Sequence, residues 1–172
     1  MIDLKKHIET YPDFPKTGIL FYDISSLMAN AKIWHETINQ FSTLVKKYNP
    51  EVLAGIESRG FIFASTIAYK LNCEVVMIRK KGKLPGKTIS HTYKLEYGED
   101  CLEIQKREDL KNKNVILIDD LLATGGTAGA AIELLQKTSV NVSAFLTLIE
   151  LTNLKGRENI AVQTESLLSF DE

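Results

Sequence analysis

Cysteine is nearly missing: Cys73 and Cys101 are the only two, they lie far apart, and neither belongs to a C-x-x-C pair. A disulfide framework and a zinc ribbon are thereby excluded, and the two thiols are expected to stay reduced in a cytoplasmic protein. No 18-residue apolar run occurs, and the start Met1-Ile2-Asp3-Leu4-Lys5-Lys6 lacks an apolar stretch, so neither export nor a membrane span is indicated. An excess of one charge is missing too. With 21 basic and 22 acidic residues, a net charge of −1 and a pI near 6.3, the chain is not a general binder of nucleic acid or membrane surfaces, and anion recognition must come from local clusters. His7, His35 and His91 are dispersed without metal-ligand spacing. Repeats, low-complexity tracts and linkers are absent, so residues 1–172, 44% of them hydrophobic, read as one domain able to bury roughly two thirds of its unfolded surface.

What is present centres on Val115-Ile116-Leu117-Ile118-Asp119-Asp120-Leu121-Leu122-Ala123-Thr124-Gly125-Gly126-Thr127. Branched apolar residues run into two carboxylates, then a small-residue turn, then the helix-compatible segment 128–136. That order reads as buried strand, polar strand end, tight loop and helix start. Free N–H groups of the first helical turn, with the hydroxyls of Thr124 and Thr127, suit a phosphate monoester, and Gly125 and Gly126 let it approach the backbone. Asp119 and Asp120 would repel that phosphate. Their natural partner is the vicinal hydroxyls of a sugar, directly or through Mg²⁺, so a sugar phosphate is the expected guest. The triphosphatase loop G-x-x-x-x-G-K-[ST] and the dinucleotide loop G-x-G-x-x-G are both absent.

Around this stretch the pattern is strand after helix after strand. Leu4, Ile8 and Tyr11 share a helical face, which predicts a short amphipathic helix over 3–11 ended by Pro12. An extended loop follows, then the apolar Ile19-Leu20-Phe21-Tyr22-Asp23-Ile24, pinned on the core as strand or loop. Helical spacing covers 31–48, with Trp34 in the core, and Asn49-Pro50 stops it. Val52–Ile56 is a short buried strand, Glu57-Ser58-Arg59-Gly60 a turn, 61–71 a helix, and Glu74–Ile78 another strand. Five cations in the nine residues Arg79–Lys87, broken by Gly and Pro, must form a surface loop. Residues 91–105 form a hairpin around Gly98-Glu99-Asp100, so poor in apolar residues that a loosely anchored lid is expected. Strands at 140–149 and near the C-terminus complete the sheet, with 150–158 a structural turn between them.

Asp-Asp-Leu-Leu-Ala-Thr-Gly-Gly-Thr at 119–127 resembles the phosphoribosyl-pyrophosphate motif of the type I phosphoribosyltransferases, in the form found in their adenine-using branch. Three further segments are similar to that family: Phe-Pro-x-x-Gly-Ile-x-Phe-x-Asp-Ile from Phe14, Ser58-Arg59-Gly60-Phe61, and Arg79-Lys80-x-Gly-Lys-Leu-Pro-Gly. The likeness runs from residue 12 to about 158. It implies an α/β fold of type I phosphoribosyltransferase kind, a mostly parallel sheet flanked by helices, with an N-terminal hood and a flexible β-hairpin lid. It implies transfer of phosphoribose from phosphoribosyl pyrophosphate to adenine, giving AMP and diphosphate. The residue roles it carries over are phosphate and ribose binding by Asp119, Asp120, Ala123, Thr124, Gly125, Gly126 and Thr127, and diphosphate binding by Ser58, Arg59, Arg79, Lys80 and Lys83. Leu20, Phe21 and Tyr22 would bind adenine, although Tyr22 departs from the basic residue usual there. Glu96, beside Tyr97 in the hairpin, would lie near the base, and Arg59, Asp119 and Asp120 would join it in catalysis. The Ser58–Arg59 peptide would be cis or strained. Mg²⁺ would be held mainly by the substrate, with Asp119 or Asp120 reached through water, and the basic loop would extend to a neighbouring subunit in a homodimer. Two alternatives share these motifs: a transferase for another purine base, and a sensor of the activated sugar, for whose added nucleic-acid element the chain leaves no room.

Overall fold

The computed structural model describes residues 2–95 and 98–171. A 3-10 turn at Leu4–His7 leads into β1 (Glu9–Pro12), which pairs antiparallel with β2 (Leu20–Asp23) as a separate two-stranded sheet. The helix expected over 3–11 is therefore not formed. Leu4 is buried, as helical spacing required, but residues 9–12 pair with β2, Tyr11 opposite Phe21, and those ladder hydrogen bonds outweigh a weak local periodicity.

After the short α1 (Ser25–Met28) comes α2 (Ala31–Lys46), whose N-terminus is closed by the Asn30 side chain accepting from Lys32 N and Ile33 N. Trp34 is only partly buried, its ring 5.5 Å from Phe63. β3 (Val52–Ile56), α3 (Arg59–Leu71), β4 (Glu74–Lys80), the hairpin β5 (Thr88–Leu95) and β6 (Gly98–Gln105), β7 (Asn114–Leu122), α4 (Gly126–Gln136), β8 (Asn141–Leu151) and β9 (Gln163–Phe170) follow. The main sheet runs β5-β6-β4-β3-β7-β8-β9; β4, β3, β7, β8 and β9 are parallel, and β6 joins β4 antiparallel.

Period-two alternation divides the core. Leu53, Ile116, Ile118, Ala144 and Leu146 face α2 and α3, while Val52, Ala54, Ile56, Leu117 and Phe145 face α4 and the hairpin. The hairpin is better anchored than its composition suggested. Leu102 and Ile104 are each 1% exposed, and His91 meets Glu133 of α4 at 3.0 Å. Ile89, Tyr93, Leu102 and Ile104 share one face, so the half nearest the sheet is packed. Among the described residues no helix is long and apolar enough to cross a membrane.

Candidate active site

The carboxyl ends of the parallel strands surround a cavity of about 540 Å³, at the position where open α/β sheets hold their ligands. Residues 119–128 line one side, Ile56–Arg59 another, and Lys80, Tyr93, Asp100 and Leu102 the third. Two helices start at its edge, and neither carries a side-chain cap: α3 after Ser58 and α4 after Gly125. Their first N–H groups are thus available to an anion, unlike those of α2. Gly125 has φ +81°, and an added Cβ would overlap the Gly156 carbonyl, so this turn requires glycine. Gly126 has open space where its Cβ would stand.

Asp119 and Asp120 end the buried run of β7. Asp119 Oδ1 accepts from Asp120 N at 2.9 Å, and Asp120 Oδ2 lies 2.9 Å from Arg59 Nε. That contact is an ion pair without hydrogen-bond alignment, which leaves Oδ2 otherwise unpartnered. Burial raises the Asp119 carboxyl well above the ordinary carboxylate range, and the neighbouring Asp120 charge raises it further. Burial also raises Asp120, and Arg59 partly offsets this. The backbone of Gly60 is in turn packed on Ile118 O and Asp119.

Arg59 links this acid pair to the hood. Its guanidinium lies 5.4 Å from the Phe21 ring centre, and Phe14 meets Phe21 edge-on at 5.1 Å. Phe21 therefore adjoins the cavity through Arg59. Tyr22 does not: it is 3% exposed and packs on Phe170 at 4.6 Å, because neighbouring strand residues point to opposite sides. Leu20 is half-buried beside Phe21 on β2.

The basic segment divides as well. Lys80 reaches the cavity, where Asp100 holds it at 3.0 Å and raises its pKa. Arg79 and Lys83 turn to Glu57 instead, at 3.3 and 2.5 Å, and are not among the lining residues. Burial alone would raise the Glu57 carboxyl, but Lys83, the Lys80 N–H and Arg79 together lower it to about 2. A carboxylate buried beside two cations draws both, which composition could not reveal. The cis peptide is Glu57–Ser58 and not Ser58–Arg59: Ser58 already has φ −115° and ψ −32°, and Ser58–Arg59 leads directly into α3.

Tyr93 and Asp100 were not singled out from the sequence, yet both line the site. They are cross-strand partners in the hairpin, so its register was the signal that could have found them. Burial raises the Tyr93 hydroxyl. Glu96 lies outside the described residues.

Four carboxylates and two cations line the cavity: Glu57, Asp100, Asp119 and Asp120 against Arg59 and Lys80. Among the described residues no three carboxylate, histidine or cysteine ligands converge into a metal site. The pair at 119–120 thus fits a hard cation held mainly by oxygens of its own ligand and by water.

The phosphoribosyl transferase domain model matches residues 23–164. Curated relatives named adenine phosphoribosyltransferase include one from Rhodospirillum rubrum, 52% identical over 99% of both chains, and one from Acidiphilium cryptum, 49% identical over 99% of this chain and 100% of its own. The crystal structure of adenine phosphoribosyltransferase from Saccharomyces cerevisiae, complexed with D-2,5-dideoxy-2,5-imino-altritol 1,6-bisphosphate and adenine, superposes with a TM-score of 0.92 at 38% identity, covering 96% of each chain.

Proposed function

The chain belongs to the phosphoribosyltransferase family, among its adenine phosphoribosyltransferases, and from that premise we propose how its cavity joins adenine to phosphoribosyl pyrophosphate. It catalyses purine salvage: AMP and diphosphate are the products. The observation that carries the site assignment is one cavity in which an uncapped helix start, an acid pair and, through Arg59, an aromatic hood come together.

In this reading the 5′-phosphate sits on residues 123–127, held by N–H groups at the start of α4 and by the Thr124 and Thr127 hydroxyls. Asp119 and Asp120 accept hydrogen bonds from the ribose hydroxyls. Phe21 stacks on adenine, and the backbone of Leu20 bonds its edge. The base nitrogen bonds to C1′ as the bond from C1′ to the diphosphate oxygen breaks, with inversion, and the ring proton of the base passes to water. Positive charge then grows on the ribose and negative charge on the departing oxygen. The acid pair favours the first and Arg59 with Lys80 the second, in a site whose groups are already oriented. Arg59 must leave Asp120 to do so, which frees that carboxylate for the sugar. Mg²⁺, reached from Asp119 or Asp120 through water, would supply charge neutralisation of the diphosphate beside the acid pair. Arg79 and Lys83 act from outside the cavity by neutralising Glu57.

A homodimer is part of this proposal. Met77 is paired with Gly55, whose missing Cβ faces Ala64 of α3, so Met77 and Val75 lie on the α3 side of the sheet. They are 43% and 36% exposed, and Tyr69 of α3 is 92% exposed. An apolar face of this kind suits a second copy of the chain. The setting is the cytoplasm, a reading supported by two free thiols. The test is a panel of purine bases with Mg²⁺ and phosphoribosyl pyrophosphate, resolved by chromatography. AMP from adenine is the expected product, and efficient conversion of oxo-purines with adenine inert would overturn the base assignment.

A further inference from the structure

The phosphate loop is backed by a second turn. Beyond β8 the chain turns at Gly156–Asn159, and this turn presses on residues 123–125. Asn159 Nδ2 donates to the Thr124 carbonyl at 2.8 Å. Gly156 lies so near the Ala123 carbonyl that an added Cβ would overlap it, and Gly125 is equally close to the Gly156 carbonyl. The Asn159 carbonyl lies against Gly129 of α4 in the same way.

The turn is itself anchored. Arg157 donates through Nε and Nη2 to the two oxygens of Glu150, at 2.5 Å each, and through Nη1 to the Thr164 carbonyl. Glu150 is 4% exposed at the end of β8, and Ser166 of β9 also donates to it at 2.7 Å. A bidentate pair in this setting holds the turn in one orientation. Gly156–Asn159 is thus tied to both β8 and β9.

In a trans peptide the carbonyl and the following N–H point in opposite directions. A carbonyl of Ala123 or Thr124 turned toward the second turn therefore directs the N–H of Thr124 or Gly125 toward the cavity. We infer that Asn159 and Gly156 are positioning residues for the 5′-phosphate, keeping the Ala123 and Thr124 carbonyls turned away so that the anion meets N–H donors. This rests on the reading of 123–127 as the phosphate loop. Neither residue touches the guest.

The experiment is calorimetry of AMP, adenosine and adenine with the wild type, Asn159→Ala and Gly156→Ala, alongside steady-state kinetics. Loss of one neutral hydrogen bond predicts AMP binding about three- to tenfold weaker in Asn159→Ala. Forcing a methyl group against the Ala123 carbonyl predicts a loss of about tenfold or more in Gly156→Ala. The KM for phosphoribosyl pyrophosphate rises in parallel, while adenine affinity and the KM for adenine stay within about twofold of the wild type. Thermal melts confirm that each variant is folded, and Asn159→Ala serves as the milder test if Gly156→Ala is not. Equal weakening of AMP and adenine, or unchanged AMP affinity, overturns the positioning role. Should the wild type fail to prefer AMP over adenosine, the phosphate-loop reading falls first. Should it prefer AMP and both variants keep that preference, only the positioning role falls.

Discussion

Glu57→Gln isolates the charge cluster beside the cavity. Glu57 is nearly buried, 11% exposed, and accepts from Lys83, Arg79 and the Lys80 N–H. Its carboxyl falls from an ordinary 4.5 to about 2. At about 1.4 kcal/mol per pH unit, that difference corresponds to about 3 kcal/mol in favour of the folded state. Arg79 and Lys83 are 29% and 48% exposed, so solvent screening reduces the figure to about 1–2 kcal/mol. The sign follows from the depressed value: the contribution is complete above pH 4.5 and disappears as pH falls toward 2. Glu57→Gln should therefore melt about 2–8 °C below the wild type near neutral pH. Circular-dichroism melts of both proteins at about pH 7, 4 and 2.5 should show that gap narrowing and then closing. A gap that stays constant with pH would refute the charge argument and assign the loss to packing.

Four further outcomes follow. The double variant Asp119→Asn/Asp120→Asn should stay folded by circular dichroism and lose about 100-fold or more in kcat, because the charge that favours the developing ribose cation is gone; near-normal AMP synthesis would remove these roles. Phe21→Ala should raise the KM for adenine about tenfold through lost stacking. Tyr22→Phe should leave that KM within about twofold and cost only about 1 kcal/mol of stability, the pair being compared by initial rates and melts. Met77→Lys places a charge on the exposed face beside α3, so light scattering should report a monomer where the wild type gives a dimer.

Much of the chain was legible because its signals are local. The run Val115–Thr127 contains its own strand, its own acid pair and its own turn, and the structure adds only that α4 begins one residue after Gly125, without a side-chain cap. Residues 31–48 carried apolar spacing and the Asn49-Pro50 stop, and α2 covers all but the last two of them; the hairpin carried its glycine turn. What escaped depends on partners distant in sequence. Leu4, Ile8 and Tyr11 fit a helix until β2 is present to pair with residues 9–12. Tyr22 could be assigned to base or core only once Phe170, 148 positions away, was placed against it. Arg79 and Lys83 read as diphosphate ligands because nothing local shows that both meet Glu57. The role of the turn at 156–159 was hidden for the same reason: Gly156 and Asn159 meet residues 123–129, some 30 positions away.

A crystal structure with AMP, Mg²⁺ and diphosphate tests the central claim most directly. The 5′-phosphate should lie on the N–H groups of residues 124–127, with the ribose hydroxyls on Asp119 and Asp120 and Arg59 swung from Asp120 toward the diphosphate. A nucleotide bound elsewhere, or a ribose lying away from the acid pair while Arg59 keeps its present partner, would contradict it.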